Sequence, residues 1–129
     1  MTTLTSSERE HLATLMNERK PVLLDEIRTG LTRMRVEGYE ELLSSTADAG
    51  DESLASLITD INNAEVVRDA TELQDIYAAE ARLAAGTYGV CIDCGQPVPY
   101  ARLVAYPTAK RCLGCQQIHE RKRTHSRES

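Results

Sequence analysis

The sequence predicts a mainly α-helical molecule: a long antiparallel helical hairpin of coiled-coil type on a small C-terminal cysteine module that ends in a short helix. Three observations predict it. Two long stretches carry apolar residues at intervals of three or four. A run of small polar residues separates them. The four cysteines fall in two close pairs near the C-terminus, while Phe and Trp are absent, so Leu, Ile, Val and Ala must do the packing along a narrow seam. The division falls at 1–87 for the N-terminal helix and hairpin, with its tip near 45–53, and at 88–129 for the cysteine module and last helix.

Ser7 with Glu10 matches a capping box, in which each side chain satisfies a free backbone N–H at a helix start. The first helix is expected from there. Its apolar positions are Leu12, Leu15, Met16, Leu23, Ile27, Leu31, Met34 and Leu42. Pro21 lacks an N–H and crowds the preceding turn, so a kink or break is expected between Arg19 and Val22. Gly30 and Gly38 weaken the helix further. From Val22 to Ser45 the first arm has 24 residues, which at about 1.5 Å of rise each extend roughly 36 Å.

The stretch 44–51, Ser-Ser-Thr-Ala-Asp-Ala-Gly-Asp, favours side-chain-to-backbone bonds over helix and is the stop between the arms. A second helix is expected from about Glu52 to Ala85, with Leu54, Leu57, Ile58, Ile61, Leu73, Ile76, Tyr77 and Leu83 on its apolar face. Asn62, Asn63 and Arg68 interrupt that seam midway. Gly86 ends the helix, and a short last helix is expected from Gln116 to about Arg123.

Cys91-Ile92-Asp93-Cys94 and Cys112-Leu113-Gly114-Cys115 are two C-x-x-C knuckles separated by 17 residues. Two residues between thiolates let both sulfurs reach one ion from a tight turn, and two such turns complete a tetrahedron. Cys91, Cys94, Cys112 and Cys115 are therefore expected to hold one structural Zn2+. With all four positions taken by sulfur, no opening is left for water or substrate, and hydrolysis at this metal is not expected. His11, His119 and His125 are not expected to be ligands. No phosphate-binding glycine loop and no Ser-His-Asp order appears, so an enzyme is not expected.

The formal charge of −5 is unevenly spread: residues 1–90 hold 8 Lys or Arg against 17 Asp or Glu, and residues 91–129 hold 7 against 3. An acidic arm on a basic base suits a protein partner with a positive cavity better than a duplex, whose binders gain affinity from basic surfaces. The first residues lack the pattern of a signal peptide and no long apolar run exists, so a cytoplasmic protein without membrane contact is expected, where reducing conditions favour metal thiolates.

Tyr88-Gly89, Cys91, Cys94-Gly95, Arg102-Leu103, Ala105, Pro107, Ala109, Cys112 and Cys115-Gln116 stand in the order and spacing of one known family. Residues 88–116 resemble the DksA/TraR family of C4 zinc-finger transcription regulators. Val98 stands where that family usually has Ile, and Ile92 where a polar residue is common. The resemblance implies that the hairpin enters the secondary channel of RNA polymerase without sequence-specific DNA contact, as a monomer. It also implies an acidic tip: Asp48, Asp51 and Ser53 fit the family's two aspartates three positions apart followed by a small residue, usually Ala. Basic residues that help some members bind ppGpp align with Asp75, Tyr106 and Gln116 here, none of which carries positive charge, so weak or absent ppGpp dependence is expected.

Simpler readings exist beside these. Asp48 and Asp51 fit an ordinary turn and helix cap. The alternative function is a zinc-ribbon module binding nucleic acid or another protein through its basic C-terminal region, where Arg121, Lys122, Arg123 and Arg127 lie. A thiol oxidoreductase using C-x-x-C is a third reading, and it requires accessible reactive thiolates.

Overall fold

The computed structural model describes residues 4–35 and 51–128, apart from the side chains of 51–53 and 123–128. Among the described residues five helices follow in order: α1 (Ser6–Arg33), α2 (Asp51–Asp60), α3 (Ala64–Ala85), α4 (Tyr100–Ala105) and α5 (Leu113–Glu128). Among the described residues the only β-type pairing is an isolated antiparallel bridge between Val90 and Pro97. No helix among them is long and apolar enough to cross a membrane.

The start of α1 corrects the expected register. Thr5, not Ser7, is the N-cap: its Oγ1 accepts the Glu8 N–H at 3.0 Å, and Glu8 Oε1 accepts the Thr5 N–H at 2.9 Å. Both Thr5-x-x-Glu8 and Ser7-x-x-Glu10 satisfy the capping pattern. The earlier one wins because it leaves Leu4 outside the helix, against Gly89 of the cysteine module, with the Leu4 carbonyl accepting from Arg9 Nη1 at 2.9 Å.

Pro21 also departs from expectation, since α1 runs through it without a break. Its ring and Asn17, the residue whose carbonyl loses a hydrogen bond, both lie on the exposed side. Water can serve that carbonyl. The roughly 3 kcal/mol that an interior proline costs is opposed by buried residues on either side, Leu12 and Met16 before it and Leu23, Ile27 and Leu31 after it.

The second arm is divided. One helix from Glu52 to Ala85 was expected, but α2 stops at Asp60 and α3 begins at Ala64. Asn63 is extended, at φ −153° and ψ 114°, and its Oδ1 accepts the Val66 N–H at 3.1 Å. A side chain that caps so well competes with continuation of the helix. Gly86 closes α3 as expected, in the left-handed region at φ 79°.

Helices α1 and α3 are antiparallel neighbours. Leu4 meets Gly89, Arg19 pairs with Glu72 at 2.7 Å, and Gly30 lies against Val66, so partner numbers fall as the chain rises. The seam joins Leu12, Met16, Leu23, Ile27 and Leu31 of α1 to Val66, Ala70, Leu73, Ile76 and Ala79 of α3 in one buried cluster. Burial of each large aliphatic side chain contributes about 1.5–3 kcal/mol. The flanking ion pairs, Arg19 to Glu72 and Lys20 to Glu80 at 2.9 Å, are partly exposed, so each adds up to about 1 kcal/mol. Expected apolar positions Leu15, Met34, Ile58, Ile61, Tyr77 and Leu83 are partly buried against this core. Leu42, Gly38 and residues 44–50 of the expected stop lie outside the described residues.

Gly30 explains how closely the arms approach. A Cβ at this position would stand 2.5 Å from Val66 Cγ2. Gly30→Ala gains about 1 kcal/mol of helix propensity but incurs about 1–3 kcal/mol of overpacking, so thermal unfolding should shift to lower temperature. In a Val66→Ala background the same change should cost less or stabilise. Equal effects in both backgrounds would show that the two residues do not meet.

Candidate metal centre

The cysteine module is built from turns that aim sulfur inward. The first knuckle is closed by Cys91 N–H to Gln96 O at 2.8 Å and Gly95 N–H to Cys91 O at 3.0 Å, with Val98 N–H returning to Gly89 O at 2.8 Å. Gly89 and Gly95 are left-handed, at φ 82° and 75°, a region open to glycine at little cost. The second knuckle forms the first turn of α5, where Gln116 N–H bonds Cys112 O at 2.9 Å. The last helix therefore begins earlier than the expected Gln116 and includes Cys115.

Two contacts join the two knuckles: Ile92 N–H donates to Lys110 O at 2.9 Å, and Arg111 Nε donates to Asp93 Oδ2 at 2.7 Å. A third ties α4 (Tyr100–Ala105) to the second knuckle, where Arg102 Nε donates to Arg111 O at 3.1 Å. Beneath them the Tyr88 hydroxyl donates to Pro107 O at 2.7 Å, and burial pushes its phenol up to about 12. Leu103 of α4 fills the small core with Tyr88, Val98 and Ala109. Sequence reasoning placed Arg102 within the module but missed α4 and the Asp93 to Arg111 pair. The signal for the pair was an acid inside one knuckle and a base immediately before the other.

Cys91, Cys94, Cys112 and Cys115 bring their Sγ atoms within 4.8 Å of one another. The Cys94 to Cys112 separation is 3.8 Å. Zinc–sulfur bonds of about 2.3 Å in a tetrahedron set sulfurs about 3.8 Å apart. Cys91 is buried and Cys94 faces solvent.

The electrostatics of the four sulfurs call for a cation. Burial pushes the Cys91 thiol up, but backbone N–H groups of Cys112, Cys94 and Asp93, with the Cys94 side chain, outweigh it and bring it down to about 6. The Gln96 N–H favours the Cys94 thiolate, yet Cys91 and Cys112 raise it on balance. Cys115 is held well above the ordinary thiol range by Cys112 and Cys91. Four negative sulfurs cannot share this volume unless a positive ion lies among them. A soft divalent ion with tetrahedral preference matches both donor set and spacing.

The other expected site residues are placed only in part. Asp51 is the first residue of α2 and Ser53 lies in its first turn, while Asp48 lies outside the described residues. Asp75, Tyr106 and Gln116 line one cavity of about 180 Å3 between α3 and α5, together with Arg82, Lys110 and His119. Burial raises the Asp75 carboxyl, against the charges of Lys110 and Arg82, which lower it. His11 lies beside Tyr100, with ring centroids 6.3 Å apart.

Comparison with known proteins gives a consistent picture. Residues 86–121 match the family described as the prokaryotic dksA/traR C4-type zinc finger. An uncharacterized 8.2 kDa protein from the gpA 5′ region of Escherichia phage P2 is 39% identical over 56 residues, which are 43% of this chain and 76% of that protein. The RNA polymerase-binding transcription factor DksA of Caulobacter vibrioides is 40% identical over 50 residues, 39% of this chain and 35% of that protein. The chain spans less than half the length of several curated relatives it matches. Among solved structures, transcription factor DksA2 from Pseudomonas aeruginosa shares the fold, with a TM-score of 0.62 and 24% identity over 93% of this chain and 88% of that one.

Removal of the metal should be local in effect. A chelator is expected to release one zinc per chain, make four thiols reactive and unfold the turns around residues 88–116, while most of the helical signal in far-UV circular dichroism stays. Loss of the α1 and α3 helix with the zinc would contradict this.

Proposed function

Because this chain belongs to the DksA/TraR family of C4-type zinc fingers and carries one structural zinc, we propose that it is a transcription regulator that binds RNA polymerase through the secondary channel. Cys91, Cys94, Cys112 and Cys115 are the zinc ligands in this reading. Residues 1–87 form the inserted hairpin and 88–129 its base, and the protein acts as a cytosolic monomer with no catalytic step of its own.

The observation that carries the reading is the antiparallel pairing of α1 with α3. Just before α1, Leu4 meets Gly89 of the cysteine module, and the pairing of the two helices runs from there to Gly30 and Val66 at the opposite end. The 28 residues of α1 alone make about 42 Å of rod. A narrow rod with an excess of acid, fixed at one end to a basic module, fits a pore lined by a cationic, metal-dependent active site.

Asp48, Asp51 and Ser53 form the working tip in this reading, and carboxylates there would compete for cationic groups around the polymerase centre and change the lifetime of promoter complexes. Asp48→Asn with Asp51→Asn should abolish promoter regulation in a purified transcription assay while leaving polymerase affinity largely unchanged. Unchanged promoter output would remove the tip from the mechanism. Salt-sensitive duplex binding without polymerase binding would instead favour the basic face that includes Arg121 and Lys122.

The regulator is also proposed to work with little or no help from ppGpp. Asp75, Tyr106 and Gln116 supply no positive charge to the cavity they line, and the Asp75 carboxylate adds a negative one beside Arg82 and Lys110. The alarmone should change affinity for polymerase by less than about fivefold, the low end of typical allosteric coupling. A larger increase in a binding titration would contradict the proposal.

A further inference from the structure

Where α3 meets the zinc module, cations gather around a small cavity. Asp75 and Arg82 stand two helical turns apart on α3, and Lys110, Arg111 and His119 of the module line the same space of about 180 Å3. The turn that closes α3 fixes Arg82 there, since its carbonyl accepts the Thr87 N–H at 2.9 Å and the Tyr88 N–H at 3.2 Å. Its Nη2 is buried and has no hydrogen-bond partner. Arg111 is engaged elsewhere, by Asp93 at 2.7 Å.

Asp75 is the only carboxylate among the described residues that line this cavity. Glu72, one turn earlier, is taken by Arg19. Burial opposes the charge on Asp75, and so does Glu72, while Lys110 and Arg82 support it. The close ion pairs among the described residues do not include Asp75, so its attraction to these cations acts across the cavity. Half-buried cations cost free energy unless an anion lies within reach. Drug-sized ligands need pockets of about 300 Å3 or more, so this space suits an anion of a few heavy atoms.

We propose that this cavity is an oxyanion site whose counter-charge is built into the chain: Asp75 supplies the negative charge that a phosphate-class ion would bring to Arg82 and Lys110. The built-in charge holds the module to α3 without a ligand, and it repels free anions. Two like charges within so small a space repel by more than the roughly 1.4 kcal/mol that makes tenfold in affinity. Taking the Asp75 charge away therefore uncovers the site, because guanidinium and ammonium groups bind tetrahedral oxyanions through charge-assisted hydrogen bonds. The balance belongs to the free chain, whatever partner it meets.

Titration of inorganic phosphate into the zinc-loaded full chain tests this, read by the amide chemical shifts of residues 106–119 with chloride holding ionic strength constant. Asp75→Asn should bind phosphate saturably and at least about tenfold more tightly than the unaltered chain. Asp75→Ala, a better helix former, carries the same expectation should the Asn variant not fold. Adding Lys110→Gln to either should take back most of the gain. Phosphate binding as tight in the unaltered chain as in the variants would overturn the role of Asp75. No saturable binding by a folded Asp75 variant would overturn the site itself, and a gain untouched by Lys110→Gln would overturn its location. No polymerase is present, so failure here leaves the polymerase reading standing.

Discussion

Four sulfur atoms within 4.8 Å of one another are the constraint from which the rest of the molecule follows. The module around them buries few apolar residues, chiefly Tyr88, Val98, Leu103 and Ala109, too few to hold two turns together by burial alone. One cation supplies what the core lacks, because it removes the repulsion between thiolates and ties Cys91 and Cys94 to Cys112 and Cys115 through strong bonds. The Asp93 to Arg111 pair and the Ile92 to Lys110 hydrogen bond then fix the angle between the knuckles.

The hairpin depends on that module at one end only. Leu4 and Gly89 bring the start of α1 to the cysteine turns, and the chain leaves α3 through the left-handed Gly86 and reaches Tyr88 two residues later. Along the arms the stabilising force changes to aliphatic burial, with ion pairs confined to the rim. This division of labour permits a surface of strongly acidic character on the arms, since their core needs no charge. It also separates the energetics: the module stands or falls with its metal, and the arms with close approach at positions such as Gly30.

Much of this was legible in the residues themselves. The C-x-x-C spacing located the centre, because two-residue turns leave few other ways to use four thiols. Leu12, Met16, Leu23, Ile27 and Leu31 announced the buried face of α1, and Gly86 its partner's end. Less legible were choices between locally equal options. Two capping boxes overlap at Thr5 and Ser7, and only the distant Gly89, by receiving Leu4, selects the first. Pro21 is tolerated because it falls on the wet side, which depends on where α3 lies. Asn62 and Asn63 were seen to weaken the seam, but whether they bend or end a helix depends on the Asn63 side chain finding Val66 N–H. Helix α4 is too short for periodicity to show.

Under the proposed function, a rod mounted on a zinc module would carry acidic residues into the polymerase. That claim is tested most directly with polymerase whose catalytic magnesium is replaced by iron, so that radicals generated at the active site cleave whatever lies near it. Bound to such an enzyme, this chain should be cut within residues 45–53 and nowhere in α5. Cleavage confined to α5, or none at all from a bound chain, would contradict the account.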